Sequence, residues 1–139
     1  MPHPTVHESA DQTVNEGVRH AIAAYCQALD DGRVDDLLQL FTADGRSALP
    51  GREVVAGHDA LREMYQALVP TAPQRHLVFN TVATHRDDGR AFATSDLMFL
   101  TRNESGWAVS LVGKYEDLLV RGESQQWRFE QRSLTFTMP

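Results

Sequence analysis

A histidine inside an apolar strand face is the first residue of this chain that could do chemistry. In the run 75–85 side chains alternate between the two faces of an extended strand, so His76, Val78, Asn80 and Val82 share one face. An imidazole among apolar neighbours, with an unperturbed pKa of about 6.5, can accept and return a proton near neutral pH. On the next run Phe92, Thr94, Asp96, Met98 and Leu100 share a face, which leaves Asp96 as a carboxylate in a mostly apolar row. A buried carboxylate needs a partner, and a histidine on the neighbouring strand could supply one. The pattern therefore suggests a His76–Asp96 pair. The ordinary alternative is a satisfied core histidine beside an aspartate that faces solvent.

Further polar groups stand near the end of the first helical stretch. Tyr25 lies on its apolar stripe, and Asp30 lies at its C-terminal end, where the helix dipole disfavours negative charge. Asp30 and Asp31 both fall at the margin of the stripe, and spacing alone leaves the choice between them open. His20, His58 and His85 form no metal-spaced cluster with carboxylates, and the chain has neither a phosphate-binding glycine loop nor a nucleophile elbow. No metal and no organic cofactor is expected. Trp107 and Trp127 begin strands beside turns and read as core or interface fillers. Arg132 alternates with Arg128 and Glu130, the pattern of a solvated or dimer-facing row.

These residues must be held by helices in the first half and strands in the second. Val14, Val18, Ala21, Ile22, Tyr25 and Leu29 recur at helical spacing, and Gly32 follows where a C-terminal cap is expected. Val34, Leu37, Leu38 and Phe41 mark a short second helix, and Leu61, Met64, Tyr65 and Leu68 a third that Pro70 and Pro73 prevent from continuing. Residues 43–56 carry Gly and Pro and read as an irregular loop with a weak edge strand or hairpin. Runs near 75–85, 90–102, 107–120 and 126–137, separated by turn residues, predict a four-stranded antiparallel meander with the helices on one face. Residues 1–11 hold two prolines and read as a flexible tail, and 12–139 as one domain.

Composition sets the outer bounds. The chain has 139 residues, 42% hydrophobic and 23% charged, values ordinary for a globular domain that folds without disulfides. A net charge of -6 with scattered basic residues argues against nucleic acid as a partner. The chain lacks a membrane-length apolar run and the pattern of a signal peptide, so a cytoplasmic protein is expected. Cys26 is the single cysteine, lies in a helical pattern and reads as a small core residue.

The chain resembles the SnoaL-like branch of the nuclear transport factor 2-like superfamily. The resemblance runs from AIAAYCQALDDGRVDDLLQLFTADG through GHDALREMYQAL and RHLVFN to GKYEDLLVRGESQQWRFEQR. It implies an α+β fold in which a curved antiparallel sheet and three N-terminal helices close into a cone around a pocket. It also implies a homodimer formed through the sheet's outer face. In dehydratase-like members an aspartate at the end of helix one orients a pocket histidine, positions at which this chain has Asp30 and His76. Tyr25 matches a helix-one tyrosine of such enzymes, Asp96 a polar residue on the strand after the histidine, and Arg132 a last-strand arginine. Asn80, Met98 and Tyr115 are the further candidates for contact with substrate.

The function this implies is a cofactor-independent lyase or isomerase acting on a small hydrophobic, aromatic or polycyclic molecule. Neutral His76, oriented by Asp30 or Asp96, would remove a proton beside a carbonyl or leaving group, and Tyr25 would donate to the developing oxygen. Two other readings use the same pocket: a polyketide cyclase closing a ring by an aldol step, and a non-catalytic binding module or dioxygenase β-subunit-like scaffold.

Overall fold

The computed structural model describes residues 6–137, with side chains from residue 12 onward. Helix α1 spans Val6–Asp30, and its apolar stripe from Val14 to Leu29 is buried against the sheet. It stops where Gly32 takes φ 72°, letting the Arg33 N–H reach the Ala28 carbonyl at 2.8 Å and the Gly32 N–H reach that of Leu29 at 3.2 Å. This left-handed glycine cap leaves Asp30 as the last helical residue. The helix begins earlier than the tail reading of residues 1–11 allowed: residues 6–11 are helical, because both prolines precede them. The rest of that segment lies outside the described residues.

Helix α2 spans Val34–Gln39 and α3 spans His58–Gln66. Between them the loop expected at 43–56 is more ordered than its Gly and Pro content suggested. Strand β1 covers Phe41–Ala48 and β2 covers Val55–Ala56, so Phe41 opens a strand and does not end a helix. Strands β3 (Gln74–His85), β4 (Arg90–Asn103), β5 (Gly106–Arg121) and β6 (Trp127–Phe136) form the expected meander. Among the described residues the sheet has six strands in the order β2-β1-β6-β5-β4-β3. It is antiparallel except where β1 joins β6 in parallel. That pairing joins distant parts of the chain, so no local turn announces it.

The sheet's inner face carries Ala91, Ala93, Ser95 and Leu97 on β4 and Tyr115, Asp117 and Leu119 on β5. Small inner side chains on β4 let α1 lie close to the sheet. The same economy operates at Gly17, where an added Cβ would stand 2.4 Å from the Trp127 ring. Trp127 is accordingly a core residue, whereas Trp107 is exposed. Among the described residues no helix is long and apolar enough to cross a membrane.

Candidate active site

Asp30 and His76 meet where the C-terminus of α1 crosses the start of edge strand β3. Asp30 Oδ1 lies 2.6 Å from His76 Nδ1, and its Oδ2 accepts the His76 backbone N–H at 2.8 Å. Gln74 Nε2 donates to Oδ1 at 3.2 Å. The two side chains are only 5% and 11% exposed, so little water competes for these bonds. Burial pushes the Asp30 carboxyl up, but the hydrogen bonds from the His76 ring and backbone outweigh it and hold the group below the ordinary carboxylate range. Asp30 is therefore an acceptor, and Nδ1 must carry the proton between them. In the uncharged tautomer with the proton on Nδ1 the lone pair is on Nε2, the arrangement a general base needs.

His76 borders a cavity of about 240 Å³ between the sheet and the helices. Its walls are mainly apolar, with Leu29, Leu68, Leu97, Phe99, Leu111 and Leu134 among them. The imidazole packs on Phe99 with ring centroids 4.5 Å apart. A weakly polar wall of this kind strengthens electrostatic interactions with charge that develops inside it.

The pairing of His76 with Asp96 is not made. Asp96 belongs to the outer row of β4, because the inner row is the one with Ala93, Ser95 and Leu97, and it accepts a hydrogen bond from Asn80 Nδ2 at 2.9 Å. Asn80 is also off the expected face. A β-bulge between Phe79 and Val82, with Asn80 at φ 55°, shifts the alternation by one residue, so Thr81 turns inward and Val82 is exposed. Met98 shares the outer row with Asp96 and does not line the cavity.

Tyr25, Tyr115 and Arg132 lie deeper in the cone. The Tyr25 hydroxyl is 2.8 Å from that of Tyr65, which in turn is 3.4 Å from Ser47 Oγ, so its hydrogen bond serves this buried chain and not the His76–Asp30 pair. Burial raises the Tyr25 pKa well above the ordinary phenol value, against the lowering effect of Arg132. Arg132 is fully buried and not in the solvated row its alternation suggested. Its guanidinium lies 3.6 Å from the Tyr115 ring centroid and 4.2 Å from that of Tyr25. Arg132 Nε is 3.1 Å from Asp117 Oδ1, whose side chain is wholly enclosed. Burial pushes the Asp117 carboxyl up to about 6, with Arg132 opposing the shift. Neither Tyr115 nor Arg132 lines the cavity, whereas Leu134, two residues beyond Arg132 on β6, does.

Asp117, Gln74 and Tyr65 had not been singled out in the sequence. Asp117 was legible, since it interrupts the alternating row Tyr115, Asp117, Leu119. Among the described residues no three His, Cys, Asp or Glu side chains gather as a metal site would require.

A curved sheet closed by helices over a small apolar cavity, with a carboxylate-paired histidine in its wall, defines an α+β pocket domain. The chain belongs to the SnoaL-like domain family, whose model matches residues 13–133. Three solved structures illustrate the shared fold. A candidate scytalone dehydratase from Novosphingobium aromaticivorans is 22% identical with a TM-score of 0.81, covering 94% of this chain and 89% of its own. A protein from Catenulispora acidiphila in complex with S-DNPA is 23% identical with a TM-score of 0.81, over 90% and 94% of the two chains. A nuclear transport factor 2-like protein with a cystatin-like fold, also from Novosphingobium aromaticivorans, is 19% identical with a TM-score of 0.80, over 97% and 92%. No curated protein sequence matches this chain.

Proposed function

We propose that this domain is a cofactor-independent lyase or isomerase of the dehydratase kind, acting on a small, mainly apolar molecule. The observation that carries the reading is the Nδ1 contact of His76 with a depressed-pKa carboxylate at the wall of an apolar cavity. His76 Nε2 takes a proton from a carbon beside a carbonyl, and the electron pair left behind moves to the carbonyl as an enolate. In an elimination, the enolate re-forms the carbonyl, the carbon–carbon double bond forms, and a β-hydroxyl leaves with the proton returned by the imidazolium, as water. In an isomerisation the same proton returns to a different carbon. One imidazole thus serves as base and then acid, which suits a site where the Tyr25 hydroxyl is committed to Tyr65. The likeness to the candidate scytalone dehydratase and to the S-DNPA complex supports a small-molecule role.

The outer face of the sheet exposes Leu77, Phe79, Val82 and Val112, an apolar surface suited to a second copy of the chain, and the proposal extends to a homodimer on this face.

Proton exchange tests the chemistry. Incubation in D2O with a panel of small β-hydroxy ketones and thioesters, followed by NMR, should reveal deuterium entering the α-carbon or loss of water. His76→Ala should lower that rate by about 10²–10⁴-fold with the far-UV spectrum unchanged, and Asp30→Asn should lower it by a similar factor. Undiminished exchange in His76→Ala would remove the base from this reading.

A further inference from the structure

His76 lines a second space as well. Between α1 and the free edge of β3 runs an open crevice of about 610 Å³, with Ile22, Ala23 and Cys26 on the helix side and Val78 on the strand side. Its ends are polar: Gln27 and His76 at one, Arg19 and Thr81 at the other.

Two bonds hold this crevice open at a set width. At one end the His76 backbone N–H donates to Asp30, and at the other Arg19 Nη2 donates to the Thr81 carbonyl at 2.9 Å. Asp30 and Arg19 are eleven residues apart on a helix, a rise of about 16 Å. His76 and Thr81 are five residues apart on a strand, also about 16 Å. The two ties are thus in register without strain, and the small side chains of Ala23 and Cys26 leave space between them.

The edge of β3 supplies hydrogen-bonding groups to that space. On an edge strand in an antiparallel pair, every second residue turns its N–H and C=O away from the neighbour. His76 is one such residue, since its N–H goes to Asp30, and Val78 is the next. The Val78 backbone groups therefore face the crevice midway between the ties. Arg19 is the one formally charged side chain among the lining residues, and its Nη1 makes no hydrogen bond among the described residues.

We propose that this crevice is a second ligand subsite, which seats an elongated apolar molecule with its carboxylate end on Arg19 and its other end at His76. The apolar body lies on Ile22, Ala23 and Cys26, a carbonyl or hydroxyl along it bonds to Val78, and the free edge of the Arg19 guanidinium takes the anion. The proposal rests on the reading of His76 as the base only for which end of the ligand reacts, and it names the substrate class as apolar acids.

Fluorescence titration with pyrene-1-butyrate and with the uncharged pyrene-1-butanol tests it. Both should bind, the acid more tightly. Arg19→Gln should weaken the acid about tenfold and the alcohol less than twofold, and Arg19→Lys should restore the preference. Ala23→Phe, at an exposed helix position that folding tolerates, should fill the crevice and weaken both at least tenfold. Equal loss of acid and alcohol in Arg19→Gln, unchanged binding in Ala23→Phe, or no saturable binding would each overturn the subsite. Binding is read by the titrations on Arg19 and Ala23 variants and the base assignment by proton exchange in His76→Ala, so failure of one stays separate from failure of the other.

Discussion

Two aspartates in this fold each face a basic side chain out of contact with bulk water, and they behave in opposite ways. Asp30 meets His76 at the cavity wall, and its oxygens accept three hydrogen bonds, two from His76 and one from Gln74. Asp117 meets Arg132 deep in the cone, and neither of its oxygens has a hydrogen-bond partner of proper geometry among the described residues. Asp30 is held below the ordinary carboxylate range, whereas burial pushes Asp117 up to about 6. Asp117 is the more deeply buried and lacks directed donors, whereas Asp30 accepts three hydrogen bonds, so burial and hydrogen bonding together set the two apart. A carboxylate given directed donors keeps its charge on burial; one given only a nearby cation loses much of the benefit to desolvation. The first arrangement leaves an imidazole oriented at a cavity. The second places an aromatic-wrapped guanidinium in the core, flanked by Tyr25, Tyr115 and Phe129.

The largest effect should come from breaking the deeper pair on one side. Arg132→Met leaves Asp117 buried without its cation and should cost about 3–5 kcal/mol in urea unfolding. The double change Arg132→Met with Asp117→Leu should recover most of that loss, because no charge is left unpaired. If the double variant is no more stable than the single, the pair is not what the core is built around.

The pH dependence of stability should separate the two aspartates more gently. Asp117 has a folded pKa raised above its unfolded value, so the folded protein binds its proton more tightly and its contribution to stability is lost as pH rises through about 6. Asp30 has a lowered folded pKa, so its contribution is present above the ordinary carboxylate range and lost as pH falls through the lowered value. Unfolding free energies measured from pH 4 to pH 7 should therefore decline less steeply, or rise, with pH in Asp117→Asn relative to the parent. An identical pH profile in the two proteins would contradict the burial assigned to Asp117.

The smallest effect is expected at the third aspartate. Asp96 stands on the outer face with Asn80 as its hydrogen-bond partner among the described residues, so Asp96→Ala should change stability by no more than about 0.5 kcal/mol. Proton exchange by His76 should be unaffected. A large loss of exchange in this variant would restore Asp96 to the site.

Much of the scaffold was legible because the relevant signals are local. The stripe from Val14 to Leu29, the glycine cap at Gly32 and the turns between the last four strands depend on neighbours a few residues away, and those elements lie where periodicity put them. His76 was legible for the same reason, as an imidazole on a strand face. Its carboxylate partner was not legible from alternation, which pointed to Asp96; the family resemblance alone offered Asp30. Alternation sorts β4 into two rows but does not say which row the helices cover, and the row with Phe92 and Met98 is the mostly apolar one in which Asp96 stands. The helices lie on the row of Ala91, Ala93 and Ser95, because a curved sheet with a long helix across it has room for small side chains on the concave side.

By itself, then, the sequence determined the three helices and the last four strands, their order, the family and the residues with chemical potential, since each is written in short-range spacing or in residue type. Only the tertiary structure decided which of those residues meet. The parallel β1–β6 pairing, the bulge that turns Thr81 inward, the Asp30–His76 contact and the burial of Asp117 with Arg132 all join residues far apart in the chain. Their geometry follows from the crossing of α1 over the edge of β3 and from the curvature of the sheet, which no local pattern encodes.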